Sequence, residues 1–242
     1  MTRLFCVIAH PDDETILTGG ALALAARQGV QVYIVCATRG EGGEMGEPPL
    51  TTRENLGKVR EQELINAAHA LGAQQVIFLG FQDTLMIDRV LPMRADLLEI
   101  EWKLVSLIRE YRPDVVLTHG TNGEYGHPQH RQVNRATSRA FFGARDPFRF
   151  PDAGVPFMPR RLYYFAARPK NLDIELDLAK LWWGHRVNKS DAAHLTLDVT
   201  PVLDSKEAAA KCHRTQMALF MRRQDAPASL RGRMNHPEYL HR

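Results

Sequence analysis

The sequence predicts an α/β fold in which a mostly parallel sheet is flanked by helices. Short, unbroken apolar runs rich in β-forming residues alternate along the chain with longer helical stretches. The first run, Leu4 to Ala9, lacks the apolar–polar alternation of a half-exposed strand, so it is typical of a strand buried on both faces. The chain has 242 residues, of which 44% are hydrophobic and 24% charged. This is enough for one domain spanning residues 1–242.

The predicted elements follow one another in a regular rhythm. Strands are predicted at 4–9, 31–37, 75–80, 114–118, 161–167 and 195–199, and helices at 14–28, 52–71, 93–111, 129–142 and 204–220. Pro11 ends the first strand, because it has no N–H to donate to a neighbouring strand. Right-handed crossovers place the carboxyl ends of these strands at one edge of the sheet.

Two segments fall outside this rhythm. Residues 143–160 contain several prolines and form the longest irregular stretch of the chain. A loop of this length is either a wall of the active site or an excursion over the surface. Residues 221–242 are basic, and we expect them to form a solvated, partly mobile C-terminal tail.

Composition disfavours several classes of protein. No stretch of about 18 apolar residues could span a membrane, and the apolar run before Pro11 is too short for a signal peptide. We therefore expect a cytoplasmic protein without membrane insertion. The formal net charge is +3, and the basic tail lacks interleaved aromatic residues, so no nucleic-acid partner is predicted. Three cysteines without metal-type spacing are assigned no chemistry. Trp182 and Trp183 are compatible with a subunit contact, and hence with a homo-oligomer.

The turn after the first strand concentrates groups that bind metals. His10, Asp12, Asp13 and Glu14 bring one imidazole and three carboxylates together. They follow the carboxyl end of a strand, where ligands bind in open parallel sheets. If a helix begins near Glu14, His10 and Asp13 can meet on one side while Asp12 points elsewhere. The alternative is a helix N-terminus at which the carboxylates only cap free N–H groups.

A second cluster follows the predicted strand at 114–118. Tyr125, His127 and His130 lie beyond it, after a polar loop that contains glycine. Two strand ends thus present ligand-type side chains to the same edge of the sheet. The glycine-rich loop 40–46 is a weaker signal. It lacks the Lys-Ser/Thr of a phosphate loop and carries two glutamates, so nucleotide binding is disfavoured.

The ordered set of motifs resembles one family. The motifs are Ala9-His10-Pro11-Asp12-Asp13-Glu14, Thr38-Arg39-Gly40-Glu41, Arg60-Glu61-Gln62-Glu63-Leu64, Gly126-His127-Pro128-Gln129-His130 and the late segment from Lys206 through Cys212-His213-Arg214-Thr215-Gln216. Together they resemble the PIG-L/LmbE-like N-deacetylases over most of the chain. The resemblance implies a zinc-dependent hydrolase with a Rossmann-like three-layer fold that removes acetyl groups from N-acetylglucosamine-type substrates.

The resemblance also implies a metal site and a general base. By motif position, His10, Asp13 and His130 are the zinc ligands, and Asp12 accepts the proton of the attacking water. Two imidazoles and one carboxylate leave a fourth position open for water, as in catalytic zinc sites. Zinc lowers the pKa of such a water toward about 7. Fe²⁺ is compatible with the same ligand types.

His127 and Tyr125 complete the catalytic set that the resemblance implies. His127 would stabilise the oxyanion or protonate the departing amine; its alternative is a further metal ligand. The family commonly has an aspartate where this chain has Gln129. If that acid tunes His127, the amide lowers the proton affinity of His127. Tyr125 resembles a tyrosine that closes over the reacting carbonyl, with a packed loop aromatic as the alternative.

Three residues are predicted to bind the substrate. Arg60 and Asp83 match family positions that contact polar groups of the sugar, and Glu41 lies in the loop after the second strand. Each has a structural alternative. Arg60 could pair with Glu61 or Glu63 on its own helix, Asp83 could cap a turn, and Glu41 could be solvated.

The remaining histidines carry weaker signals. His213, in the late motif, either lines the site or is a buried structural residue. The others have no ligand-like pattern and are expected to be structural or at the surface: His69, His119, His185, His194, His236 and His241.

The predicted function is a metal-dependent hydrolase that removes the N-acetyl group from a small acetylated aminosugar conjugate. One alternative is an amidase acting on another acylated amine or a thiol conjugate. Another is a noncatalytic metal- or ligand-binding module, which Gln129 favours and Asp12 disfavours. A glycosidase using Asp12 and Asp13 is least favoured, because adjacent residues rarely place two carboxyl groups about 5 Å apart on opposite sides of a bond.

Overall fold

The computed structural model of the protein describes residues 1–84, 91–166, 193–216 and 238–241. Within these ranges, seven strands form one sheet: β1 (Arg3–Ile8), β2 (Gln31–Thr38), β3 (Gln75–Phe81), β4 (Val115–Thr118), β5 (Arg161–Phe165), β6 (Leu195–Leu197) and β7 (Glu238–His241). The helices are α1 (Asp13–Arg27), α2 (Leu56–Ala70), α3 (Leu97–Tyr111), α4 (Gly123–Gly126), α5 (Pro128–Gly143) and α6 (Leu203–Cys212). The predicted pair Trp182 and Trp183 lies outside the described residues.

The strand order is β3-β2-β1-β4-β5-β7-β6. Strands β1 to β5 pair in parallel, whereas β7 pairs antiparallel with both of its neighbours. From β1 the chain adds β2 and then β3 on one side, whereas β4 and β5 lie on the other side of β1. The direction of the strand order therefore reverses between β1 and β4. Ligands bind at such a reversal in open α/β sheets, because the loops leaving the two strands diverge and open a crevice.

Two apolar layers hold the helices to the sheet. Phe5 and Val7 of β1 face one layer, which packs against α3 and α5. Cys6 and Ile8 face the other layer, which includes Leu64 of α2 together with residues of α1 and α6. Because side chains alternate across a strand, a strand buried on both faces reads as an unbroken apolar run. The predicted α/β fold with a mostly parallel sheet is confirmed.

Element boundaries differ from the prediction mainly at helix starts. The helix predicted from residue 52 begins at Leu56, and the one predicted from residue 93 begins at Leu97. In the second case Asp96 is the N-cap residue, and its carboxylate accepts the Leu98 N–H at 2.9 Å. The cap, rather than apolar periodicity, sets the first helical residue.

The C-terminal tail contains a strand that the sequence analysis missed. Residues 238–241 form β7, which lies between β5 and β6. Glu238 is buried, forms an ion pair with Lys206 and accepts the N–H groups of Gly20 and Ala21 at 2.7 Å. The expectation of a solvated tail is therefore wrong for these residues, since their partners come from distant parts of the chain.

The irregular loop 143–160 lies far from the carboxyl ends of the strands. Arg109, near the end of α3, donates hydrogen bonds to several of its carbonyls, including Phe150 O at 2.6 Å and Asp146 O at 2.7 Å. The Arg160 N–H binds Asp114 O, just before β4 begins. The loop thus covers the edge where strands start. Its interpretation as an active-site wall is wrong, and the surface excursion is correct.

None of the helices in the described ranges is long and apolar enough to span a membrane.

Candidate metal centre and active site

The two motif-bearing loops meet at the neighbouring ends of β1 and β4. Residues 9–13 leave β1, and residues 119–130 leave β4 through the short turn α4 into α5. Asp12 has φ 114, a value that non-glycine residues rarely adopt. This unusual backbone turns the chain sharply between His10 and Asp13, and such strained positions cluster at functional sites.

The three predicted metal ligands lie together. Asp13 Oδ2 is 3.4 Å from His10 Nδ1 and Asp13 Oδ1 is 3.3 Å from His130 Nε2. All three residues are buried. Although burial opposes ionisation, His130 and His119 hold the pKa of the Asp13 carboxyl well below its usual range. The carboxylate is therefore ionised and lies between two imidazoles.

Glu124 and His119 belong to the site, although the sequence analysis gave neither a role there. Glu124 Oε2 is 2.6 Å from His130 Nδ1 and 3.0 Å from His119 Nδ1. The ring of His119 stacks on that of His130, and its Nε2 lies 3.5 Å from Asp13 Oδ2. His119 immediately follows β4, a position that was itself a usable signal. His119 is buried, in agreement with the expected structural role. It also contacts two of the predicted metal ligands, His130 and Asp13.

Gln129 contacts a different histidine from the one predicted. Its side-chain Oε1 lies 2.8 Å from His10 Nε2, and its Nε2 donates to Asp83 Oδ1 at 2.9 Å. Its backbone N–H donates to His127 Nδ1. The first turn of α5 directs the side-chain amide toward His10 at the end of β1, and the effect of Gln129 on the proton affinity of His127 stays a prediction.

His127 is the N-cap residue of α5, and Pro128 occupies the first helical position. Its Nδ1 accepts the Gln129 N–H at 3.3 Å, which makes Nε2 the protonated nitrogen of the neutral ring. Burial, with the nearby His130 and His10, lowers the pKa of His127 well below its usual range. His127 is therefore a neutral hydrogen-bond donor near neutral pH.

Asp12 lies beside the predicted ligands and is held by Arg60. Its carboxylate is 3.3 Å from Arg60 Nη2 and makes no cap hydrogen bond to α1. The cap-only alternative is therefore not correct for Asp12. Burial raises the pKa of Asp12 to about 7, against the opposing effect of Arg60.

Arg60 joins the loops that follow β1 and β2. Its guanidinium donates to Pro11 O at 2.5 Å and Gly40 O at 2.8 Å. The alternative pairing of Arg60 with its helix neighbours is wrong, because Glu61 pairs with Arg39 and Glu63 binds Thr215. A Cβ at Gly40 would collide with the guanidinium, and φ is +69 there. Gly40 therefore makes room for the Arg60 guanidinium rather than for a phosphate.

Asp83 and Glu41 connect the glycine-rich loop to the metal site. Asp83 is buried, and its Oδ2 accepts the Gly42 N–H at 3.0 Å. Glu41 Oε2 accepts the Asp83 N–H at 3.3 Å. Both side chains are therefore engaged with protein groups. Their predicted contact with substrate, like that of Arg60, stays a prediction.

His213 contacts the first turn of α1. It is buried and its Nε2 is 2.7 Å from Glu14 Oε1. Tyr125 belongs to α4, but its side chain lies outside the described part of the structure. Its predicted role stays a prediction.

Among the described residues, two overlapping sets of side chains could hold a metal ion. His10, His127 and His130 form one, and Asp13, His119 and His130 form the other; within each set the ligand atoms lie within 4.8 Å of one another. The predicted ligands His10, Asp13 and His130 include members of both sets. The alternative role of His127 as a ligand is thus geometrically open.

Sequence comparison identifies the family to which this site belongs. The model of the PIG-L family, GlcNAc-PI de-N-acetylase, matches residues 5–141. The chain belongs to the PIG-L family. The match contains both motif-bearing loops and every predicted site residue, which confirms the resemblance inferred from the motifs.

Individual relatives agree with this assignment. A 1D-myo-inositol 2-acetamido-2-deoxy-alpha-D-glucopyranoside deacetylase of Rhodococcus opacus is 35% identical over 90% of this chain and 82% of its own length. An enzyme with the same description from Thermobifida fusca is 40% identical over 71% of this chain, which spans 64% of that relative. Among solved structures, the 4-carboxy-2-hydroxymuconate hydratase GalB of Pseudomonas putida has a TM-score of 0.70 at 25% identity, covering 99% of this chain and 95% of GalB.

Proposed function

We propose that the protein is a metal-dependent hydrolase that removes the N-acetyl group from an N-acetylglucosamine-type conjugate. One observation carries the proposal. The Asp13 carboxylate lies 3.4 Å from His10 Nδ1 and 3.3 Å from His130 Nε2, where the strand order reverses, and Asp12 lies beside them. The curated relatives are deacetylases of an acetylated aminosugar linked to inositol. A small acetylated aminosugar conjugate is therefore the proposed substrate class.

The donor set fits a catalytic metal ion. His10, Asp13 and His130 would hold Zn²⁺, and two imidazoles with one carboxylate match the ligand types of catalytic zinc sites. Fe²⁺ fits the same ligand types. When bound, the metal supplies a Lewis acid that polarises the amide carbonyl and acidifies water. The buried, ionised Asp13 offsets the positive charge of the ion.

Asp12 is the proposed general base. A pKa of about 7 suits a group that must accept a proton near neutral pH and later release it. Bound metal would lower this pKa, because a nearby cation favours the carboxylate. Arg60 restrains the carboxylate through its contact at 3.3 Å, so Asp12 keeps one orientation beside the metal ligands.

His127 is the proposed donor to the amide oxygen. Its Nδ1 accepts from the helix backbone, which leaves the proton on Nε2. A neutral imidazole donates a hydrogen bond to developing negative charge without a proton transfer. This favours oxyanion stabilisation over protonation of the leaving amine, because burial disfavours the imidazolium form of His127.

Amine release from N-acetylglucosamine conjugates, measured with zinc-loaded and chelated protein, tests the reaction. We expect chelator-sensitive release from the aminosugar conjugates. Asp12→Asn should keep zinc bound but lower turnover by roughly 10²–10⁴-fold, the usual contribution of a general base. Asp152→Asn, on the distant loop, is the matched control and should match the wild type. Undiminished turnover in Asp12→Asn would remove the general-base assignment.

The panel should also contain other substrates. Larger amides and thiol conjugates separate the deacetylase from the amidase alternative, and 4-carboxy-2-hydroxymuconate is included because GalB shares the fold. Stoichiometric zinc without turnover of any of them would favour a ligand-binding module. The absence of a nucleic-acid partner and the formation of a homo-oligomer stay predictions, which nucleic-acid binding assays and light scattering would check.

A further inference from the structure

The hydrogen bonds around Gln129 determine which way its amide faces. Gln129 is fully buried, and its Nε2 is 2.9 Å from Asp83 Oδ1, 2.8 Å from Thr84 Oγ1 and 3.1 Å from Leu91 O. The Thr84 hydroxyl donates its own proton to Leu91 O. All three neighbours therefore act as acceptors. The flipped amide would place an oxygen against three acceptors, so the NH₂ group must face them.

This orientation fixes the tautomer of His10. Because the Gln129 NH₂ faces Asp83, its Oε1 faces His10 Nε2 at 2.8 Å and can only accept. His10 Nε2 must then carry a proton. In the neutral ring the lone pair is on Nδ1, which is the nitrogen 3.4 Å from Asp13 Oδ2.

We propose that Gln129, backed by Asp83, is a positioning residue that holds His10 with its proton on Nε2 and its Nδ1 directed at the metal position. The inference rests on the proposed function, because it takes His10 as a metal ligand. Partners of this kind orient metal-bound imidazoles in many sites, where a carboxylate or carbonyl commonly serves. Here the Gln129 amide contacts the His10 imidazole, and the Asp83 carboxylate in turn accepts a hydrogen bond from that amide.

The surroundings explain why an amide suits this position. A glutamate at residue 129, which has the same length as glutamine, would place an oxygen at the 2.9 Å contact with Asp83 Oδ1 that the amide NH₂ now makes. Two buried carboxylates at this distance repel each other unless one is protonated. The Gln129 amide donates to Asp83 with one end and accepts from His10 with the other, so it links them without adding charge.

Gln129→Met tests this role, since methionine has a similar volume but lacks both amide groups. Gln132→Met is the matched control: Gln132 lies one turn later in α5 and binds the backbone of Met93 and Ala95 rather than His10. We expect Gln129→Met to weaken zinc affinity by roughly 10–100-fold, as for other partners of metal ligands. Gln132→Met should leave it unchanged. Competition with a chromophoric chelator measures both.

Long-range ¹H–¹⁵N NMR of the ring nitrogens is the second readout. In zinc-loaded wild-type protein we expect His10 to be metal-bound at Nδ1 and protonated at Nε2. A proton on Nδ1 would overturn the proposal, even if Gln129→Met fails to fold. Equal zinc affinities for wild type, Gln129→Met and Gln132→Met would also overturn it. Wild-type protein that binds no zinc would instead overturn the proposed function, and this inference with it.

Discussion

At the scale of single residues, Glu124 serves two histidines at once. Its Oε2 accepts from His130 Nδ1 and lies 3.0 Å from His119 Nδ1, while its Oε1 accepts the Gly120 N–H at 2.8 Å. Burial raises the pKa of Glu124, but His119 and His130 outweigh it and bring the value to about 2. A permanently ionised carboxylate thus directs His130 Nε2 toward Asp13.

Replacing Glu124 with glutamine should weaken metal binding without removing a ligand. The amide offers one oxygen instead of two and adds an NH₂ group that cannot accept from either imidazole. We expect zinc affinity to fall by roughly 10–100-fold, measured by chelator competition. Glu110→Gln, at an exposed position of α3, is the control. An affinity equal to that of the wild type would refute the orienting role.

At the scale of elements, α3 anchors both α5 and the irregular loop. Glu101 is buried and accepts hydrogen bonds from Arg139 of α5 at 2.6 Å and Arg149 of the loop at 2.9 Å. Arg109, in the last turn of α3, donates hydrogen bonds to several carbonyls of the loop. These charged groups add hydrogen bonds to the apolar contacts that Phe150, Ala153 and Phe157 of the loop make with the core.

Glu101→Gln should destabilise the protein in a pH-dependent way. Burial opposes ionisation, but Arg149 and Arg139 lower the pKa of Glu101 below its usual 4.5. A lowered folded-state pKa contributes stability above the unfolded-state value, and this is lost as the pH falls through the folded-state value. Near neutral pH we expect a loss of about 1–2 kcal/mol, since both arginines are partly exposed.

Urea unfolding of wild type and Glu101→Gln at neutral pH and at pH values below 4.5 measures this effect. The difference in the free energy of unfolding should shrink as the medium is acidified, because wild-type Glu101 then becomes protonated. A difference that stays constant with pH would attribute the loss to packing rather than to charge.

At the scale of the whole molecule, the C-terminal strand joins the sheet to both α1 and α6. Lys206 is fully buried, and its Nζ is 2.6 Å from Glu238 Oε1. The same carboxylate accepts two N–H groups of α1, close to Thr18, where that helix departs from helical geometry. Gly20 is needed there, since a Cβ would collide with Val199. One buried ion pair thus connects segments that are far apart in the chain.

Glu238→Gln should cost about 3–5 kcal/mol, because it leaves the Lys206 charge buried without a counter-charge. The double change Lys206→Met with Glu238→Gln should recover much of the loss, since no buried charge then remains. Asp204→Asn, exposed at the start of α6, should change stability by less than about 0.5 kcal/mol. Thermal and urea unfolding check these values, and equal stability of wild type and Glu238→Gln would disprove the link.

Residue patterns were sufficient to predict the family, the succession of six strands along the chain and the identity of the two motif-bearing loops. These features depend on local patterns: apolar runs mark buried strands, and ligand-type residues directly follow two of them. His10 and Asp13 were predicted to meet because they are three residues apart, and their atoms are in contact.

The hydrogen-bond partners of the site residues became visible only in the folded chain. Gln129 reaches His10 across 119 positions of sequence and Glu238 reaches Gly20 across 218, and no local pattern encodes such pairings. Glu124 gave no signal, because a glutamate in a loop is ordinary until two imidazoles are found on its carboxylate. Periodicity and motif spacing report short-range preferences, whereas hydrogen-bond partners and burial depend on how distant segments pack.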